Sequence, residues 1–124
     1  MINRSEFEDM LDELACELPQ EFYRSLNGGI IISEEAKEHK ESRGGLFVLG
    51  EYRHSALGRS IVIFYGSFKK VYGFLPRERL RAELRKTLRH EFRHHLESLA
   101  GERGLELEDE ARLAQYLSSI DGEP

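Results

Sequence analysis

The sequence predicts a small α+β domain in which a short sheet packs against one long helix. The longest periodic segment covers residues 77–100, where apolar side chains recur at helical spacing. Two β-branched runs, residues 30–32 and 60–64, are typical of strands. We therefore expect a short mixed or antiparallel sheet on a long helix, with N- and C-terminal helices, as a single domain over residues 1–124.

The N-terminal segment predicts two helices. Residues 5–17 carry apolar side chains at helical spacing, and Pro19 follows them. Ser5 and Glu8 have the spacing of a capping box, which marks a helix start. We expect one helix over residues 5–17 and a second, shorter one over residues 20–26.

The centre of the chain predicts a β-hairpin. Residues 46–53 and 60–64 are strand candidates, and the glycine-containing loop 56–59 joins them. The nearly continuous apolar run of the second strand indicates that both of its faces are covered. The charged segment 33–43 has no apolar face, so we expect it to be a solvated loop.

The long helix has an identifiable beginning and end. Pro76 is acceptable in a first helical turn, and Gly101 is a plausible C′ residue after the last one. On a helical wheel the side chains separate into an apolar face, a basic stripe and a third sector. The apolar face holds Leu80, Leu84, Leu88, Phe92, Leu96 and Leu99, and the third sector holds His90, His94 and Glu97. A last helix is expected over residues 108–120.

Composition excludes several classes of protein. The formal net charge is −5, which argues against a general nucleic-acid-binding protein. No apolar run has the length of a membrane span, and the N-terminus lacks the apolar core of a signal peptide, so a cytoplasmic location is expected. Cys16 is the single cysteine, so it can form neither an internal disulfide nor a cysteine-based zinc site.

The basic stripe on the long helix is the feature that a nucleic-acid interface would use. Its members are Arg77, Arg79, Arg81, Arg85, Lys86, Arg89 and Arg93. Glu78 and Glu83 interleave with them, and the stripe lacks aromatic residues for stacking. A solvated face with ion pairs is the better interpretation.

The most specific pattern is H-E-F-R-H at residues 90–94, an instance of H-E-x-x-H. Residues four apart on a helix share one face, so His90 and His94 can bind one Zn²⁺. Glu91 can then act as the general base that removes a proton from the attacking water. The alternative is a solvated helix on which two histidines happen to be four residues apart.

A catalytic zinc ion has three protein ligands, and the third is open at this point. Glu97 lies on the same angular sector as the histidines, and its side chain leans back toward them. Asp109 and Glu110 are the competitors, because a turn at residues 101–104 would return them to the site. If Glu97 is not a ligand, we expect it to be a hydrogen-bonding partner of His94.

The other histidines have simpler interpretations. His95 points toward the apolar face, so we expect a core or supporting histidine with satisfied nitrogens. His54 lies at the end of a strand and His39 lies in the charged loop, and surface positions are expected for both.

Four stretches of the chain match a known pattern: L-N-G-G-I at 26–30, L-G-E-Y at 49–52, I-F-Y-G-S-F at 63–68 and T-L-R-H-E-F-R-H-H-L-E-S-L-A-G at 87–101. Together they resemble small bacterial metallopeptidase-like proteins of the minimal zincin type. The resemblance implies a zincin-like fold with a sheet on the active-site helix, zinc on His90 and His94, and Glu91 as base. Many relatives look like H-E-x-x-H-H-x-G-x-x-D, whereas Glu97 stands here in place of the glycine and Ala100 in place of the acid.

The leading functional expectation is a zinc-dependent metallopeptidase with peptide or protein substrates. By analogy with larger zincins, the strand at 60–64 is the candidate edge for binding the substrate backbone. The alternative is a zincin-fold metal-binding or protein-interaction module without peptidase activity. Nucleic-acid and membrane partners are not expected.

Overall fold

A mixed three-stranded sheet and three helices make up the residues that this computed structural model describes, which are 1–40 and 44–103. In chain order the elements are α1 (Arg4–Ala15), β1 (Gly29–Ser33), β2 (Gly50–Ser55), β3 (Gly58–Phe64), α2 (Tyr65–Tyr72) and α3 (Arg77–Arg103). The expected α+β class is confirmed. The helix expected over 108–120 lies outside the described residues.

The predicted hairpin is confirmed as β2 and β3, which pair in antiparallel orientation. Ser55 pairs with Gly58, so the connection consists of Ala56 and Leu57. On its other side β3 pairs with β1 in parallel orientation. Residues 61–64 of β3 are all buried, which confirms that both faces of this strand are covered.

The expectation that residues 60–64 form a substrate-binding edge is wrong. β3 is the central strand of the sheet, so its backbone groups are paired on both sides. β1 and β2 are the edge strands, and β2 is the one that packs closely against α3. The pairing of β1 with β3 joins segments about thirty residues apart, which no local pattern reports.

The core lies between one face of the sheet and helices α1 and α3. Ile61 and Ile63 point into it from the central strand and are fully buried. The helices contribute Phe7, Met10, Leu11, Leu14, Leu80, Leu84, Leu88, Phe92 and Leu96. The apolar face predicted for the long helix is therefore confirmed as the surface that fixes α3 to the rest of the domain.

The opposite face of the sheet is covered at Phe64 by the segment before β2. Lys37 lies over the ring of Phe64, with 5.4 Å between Nζ and the ring centroid, and its backbone N–H donates to the hydroxyl of Ser67. The described part of the segment expected to be a solvated loop, residues 34–40, is not a simple one, because Glu38 forms a β-bridge with Phe47. Residues 41–43 of that prediction lie outside the described residues. The strand expected from residue 46 accordingly begins only at Gly50.

Four helix predictions need correction. The capping box of α1 consists of Asn3 and Glu6, two residues before the expected one. The segment Tyr65–Tyr72, for which no helix is expected, forms α2, and the second short helix is a single 3-10 turn at Gln20–Tyr23. Gly101 does not end α3, because the helix continues to Arg103. Within the described residues no helix is long and apolar enough to cross a membrane.

The basic stripe of α3 pairs with acidic side chains of the N-terminal segment. Ion pairs join Arg77 to Glu6, Arg81 to Glu13 and Arg85, in a bidentate arrangement, to Glu17. The acidic residues follow one another in the same order as the arginines with which they pair. Helices α1 and α3 therefore run in the same direction. The expectation of a face with ion pairs is confirmed, with the carboxylates supplied by another part of the chain.

Replacing Glu17 by Gln is expected to lower the free energy of unfolding by about 0.5–1 kcal/mol at pH 7, because the pairs lie at the surface and are only partly buried. The hydrogen bond from Arg85, followed by the positive charges around it, lowers the pKa of Glu17 below its usual value of 4.5. A depressed pKa stabilises the folded state above pH 4.5, and this contribution is lost as the pH falls through the folded-state pKa. Urea unfolding at pH 7 and at pH 4 measures the difference.

The control is Glu8→Gln, which removes an exposed carboxylate from α1, the helix that precedes Glu17. It is expected to change the stability by less than Glu17→Gln at pH 7. Equal effects of the two substitutions would show that the ion pairs between Glu17 and α3 contribute nothing measurable.

Candidate metal centre on the long helix

The histidine pair lies on the exposed side of α3, with both imidazoles turned toward each other. The Nε2 atoms of His90 and His94 are 3.1 Å apart, and the rings are nearly perpendicular at 87°. Two nitrogen ligands of a tetrahedral zinc ion, each at about 2.0–2.1 Å, stand about 3.3 Å apart. The pair therefore already has nearly the separation that a zinc ion requires of two ligands.

Glu91 has a different environment from the histidines beside it. Its side chain turns away from solvent into the contact between α3 and β2 and is only 6% exposed. The backbone N–H of Tyr52 donates a hydrogen bond to its carboxylate. Glu91 therefore lies between the exposed histidines and the buried apolar face of α3.

Burial is the main reason that the pKa of Glu91 rises to about 7, and the negative charge of Glu51 raises it further. The hydrogen bond from Tyr52 opposes both effects. Glu51 itself is held as a carboxylate by Lys37 and Arg53, which lower its pKa. A carboxyl group with a pKa near neutrality can both accept and return a proton at physiological pH.

The backbone of β2 explains why Tyr52 is the donor. Phe64 N–H donates to the carbonyl of Leu49, which fixes the alternation of paired and unpaired positions along the hairpin. Hydrogen-bonded pairs alternate in antiparallel strands, so the N–H of Tyr52 points to the open edge of the sheet. Gly50 permits the close approach, since a Cβ atom there would lie 2.9 Å from the Thr87 methyl group.

The structure gives Glu97 a partner other than the histidines. Its carboxylate accepts a hydrogen bond from Nε of Arg93 at 2.9 Å, and its side chain is exposed. Among residues 1–40 and 44–103, no group of three His, Cys, Asp or Glu side chains is arranged to hold a metal ion. Asp109 and Glu110 lie outside the described residues, so the third ligand stays a prediction.

His95 is a fully buried histidine with both ring nitrogens bonded, as expected. Nδ1 lies 2.9 Å from the hydroxyl of Tyr52, and Nε2 lies 2.9 Å from the carbonyl of Arg24. Burial is the first cause that lowers the pKa of His95, and the charges of Arg59 and His54 add to it. The ring is therefore neutral at pH 7, and it ties α3 to both β2 and the segment after α1.

Sequence reasoning missed the group that surrounds His95. Arg59 is buried, and its Nη1 donates to the hydroxyl of Tyr52 at 3.0 Å and to that of Ser98 at 2.7 Å. The alternation of side chains in β2 could have placed Tyr52 on the helix side, but nothing in the sequence predicts a buried arginine at 59. His54 and His39 are both exposed, as expected.

The fold and this site define a small α+β domain that carries a histidine pair and a buried glutamate on one long helix. No family model matches the chain, and no curated protein does. The chain is similar to the solved structure of a conserved hypothetical protein, TTHA0227, from Thermo thermophilus. The two are 38% identical over 80% of this chain and 98% of that one, with a TM-score of 0.71. The chain belongs to the family of this protein.

Replacing Glu91 by Gln is expected to stabilise the metal-free protein at pH 8. A carboxyl group whose folded-state pKa is raised destabilises the folded state as the pH rises from its unfolded value toward its folded value of about 7. The neutral amide avoids this cost and keeps an oxygen for the N–H of Tyr52. We expect a gain of about 1–2 kcal/mol at pH 8 and little change at pH 4.

Urea unfolding in the presence of a chelator measures both values. The control is Glu97→Gln, which replaces an exposed carboxylate on the same helix and should not stabilise the protein at pH 8. A loss of stability on Glu91→Gln at pH 8 would contradict the buried, raised-pKa description of this carboxyl group.

Proposed function

We propose that the protein is a zinc-dependent hydrolase of the minimal zincin type that cleaves peptide or protein substrates. The observation that carries the proposal is the pair of Nε2 atoms of His90 and His94, 3.1 Å apart, with a buried glutamate at the next position of the same helix. An ordinary solvated helix has no reason to bury the carboxylate beside two converging imidazoles, because burial without a charged partner raises its free energy.

The two histidines would hold the metal through their Nε2 atoms, and their donor chemistry fits zinc. A bound zinc ion supplies Lewis acidity and lowers the pKa of the water that it binds. A third ligand from Glu97, Asp109 or Glu110 would complete the protein's share of the site. The zincin-like fold is part of the same proposal, supported by the position of the sheet edge β2 beside the histidine-bearing helix.

Glu91 would serve as the general base and then as the general acid. Its carboxylate lies between α3 and the edge of the sheet, where the N–H of Tyr52 fixes its orientation. A positive charge at the histidine pair favours the ionised carboxylate, so the pKa of Glu91 in the metal-loaded protein is expected to fall below 7. It can then accept a proton at neutral pH and return it to the leaving amine.

Zinc binding is the first test of this proposal. Metal-free protein without a histidine tag, reconstituted with zinc and freed of excess metal, is expected to hold one zinc ion per chain. His94→Ala should reduce the affinity at least tenfold, because one of two converging nitrogens is lost. The matched control is His39→Ala, which removes an exposed histidine from another part of the chain. Absence of zinc from the reconstituted protein would rule out the proposal.

The same measurement identifies the third ligand. Zinc binding is compared at equal zinc concentration in three variants, Glu97→Gln, Asp109→Asn and Glu110→Gln. The substitution that weakens zinc binding most identifies the missing ligand. Glu97→Gln distinguishes two roles of this residue. A loss of zinc affinity identifies Glu97 as the ligand, and an unchanged affinity leaves it as the ion-pair partner of Arg93.

Hydrolysis is the second test. Zinc-loaded protein is expected to cleave unstructured protein substrates, and Glu91→Gln is expected to retain zinc while kcat falls at least a hundredfold, since the base is lost. In the active protein kcat/KM should fall as the pH drops through the pKa of Glu91, because the protonated form cannot accept a proton. Bound zinc without cleavage would favour the alternative, a metal-binding module without peptidase activity.

A further inference from the structure

We infer that the site on α3 prefers acidic peptides, because its exposed face holds two cations that pair with no carboxylate among the described residues. This inference rests on the proposed function, and it adds a substrate class to it. The two cations are Arg79 and Lys86, which precede His90 on α3 and are both exposed. At 100° per residue they lie about 20° and about 40° from His90 around the helix axis.

The other arginines of α3 between residues 77 and 93 are engaged elsewhere. Arg77, Arg81, Arg85 and Arg89 pair with carboxylates of the N-terminal segment, and Arg93 pairs with Glu97. Within the described residues neither Arg79 nor Lys86 makes an ion pair, so their charges remain available to a ligand. Arg79 and Lys86, which the sequence assigns to the basic stripe, therefore lie on the histidine face and leave unneutralised positive charge on one side of the histidine pair.

One carboxylate lies near these cations and has to be counted. Glu83 falls between Arg79 and Lys86 on the same face, but it is only partly exposed, and the hydroxyl of Tyr72 bonds to it. On the opposite side of the histidines, Glu97 is neutralised by Arg93 at 2.9 Å. Counted over the described residues, the balance of charge on the face is therefore positive before the histidine pair and close to neutral after it.

The spacing matches an extended peptide laid along the helix. Lys86 and Arg79 precede His90 by about 6 Å and about 16 Å along the axis, at 1.5 Å per residue. An extended chain advances about 3.3 Å per residue. Acidic side chains about two and about five residues from the scissile bond, on the side facing the start of α3, would therefore meet these cations.

The acidity of the whole protein does not cancel this preference. The net charge of −5 acts over long distances, whereas the Debye length at physiological salt is about 8 Å. At contact distance the local cations dominate, although each exposed pair contributes only about a two- to fivefold change in affinity. Because added salt shortens the Debye length, we expect the preference for acidic peptides to weaken as the salt concentration rises.

The test uses full-length Glu91→Gln protein loaded with zinc, so that peptides bind without being cleaved. Fluorescein-labelled decapeptides with Glu at the second and fifth positions from the centre are compared with otherwise identical Gln peptides by anisotropy. We expect the Glu peptide to bind about four- to twentyfold more tightly at 50 mM salt, with most of the difference lost at 500 mM. Equal affinities would overturn the inference.

Single substitutions then assign the preference to particular residues. Arg79→Gln and Lys86→Gln should each reduce the ratio of affinities two- to fivefold, whereas the matched control Lys70→Gln, an exposed lysine on α2, should leave it unchanged. Lys86→Glu should weaken binding of the Glu peptide and strengthen binding of a peptide that carries Lys at the same position. A preference that survives both neutral substitutions, or a poly-dT oligonucleotide that binds as well as the Glu peptide, would also overturn the inference.

Failure of the inference can be separated from failure of the proposed function. The zinc content is measured on the same preparations, and cleavage is measured on the unsubstituted protein. Bound zinc and cleavage without discrimination between Glu and Gln peptides would contradict only the acidic preference. Absence of zinc would contradict both.

Discussion

The hydrogen bond between the N–H of Tyr52 and the carboxylate of Glu91 is the interaction on which the candidate site depends. An edge strand has backbone N–H groups without partners in its sheet, and burying one unpaired is unfavourable by about 1–3 kcal/mol. Glu91 supplies the missing acceptor, and the strand in turn gives the carboxylate one fixed orientation in a buried position. The close approach that this requires is possible because residue 50 is a glycine.

The remaining contacts between α3 and the sheet hold this arrangement in place. Tyr52 acts through its side chain as well as its backbone, since its hydroxyl joins His95 and Arg59. Toward the start of α3, leucines in the core and ion pairs with the N-terminal segment fix the other half of the helix. A buried carboxyl group with a raised pKa is unfavourable for folding, and these contacts offset that cost.

Local patterns in the sequence predicted the parts of the fold that depend on local chemistry. The apolar spacing of α3, the β2–β3 hairpin and the facing of His90 and His94 all follow from helical and strand periodicity. Two overlapping patterns, Asn3 with Glu6 and Ser5 with Glu8, fit a capping box equally well, and the sequence could not choose between them. Helix α2 was missed because its aromatic and β-branched residues favour strands and no side chain caps its start.

Interactions distant in sequence could not be predicted in this way. The central position of β3 follows from its pairing with β1, and the environment of Glu91 follows from a strand about forty residues earlier in the chain. The two halves of the site consequently differ in how much of the folded protein they need. A single helical turn is enough to bring His90 and His94 together, so the histidine pair can form in a partly folded chain. The glutamate acquires its burial and its orientation only when the sheet has docked on α3, so opening of that contact would remove the base while leaving the two histidine nitrogens in place.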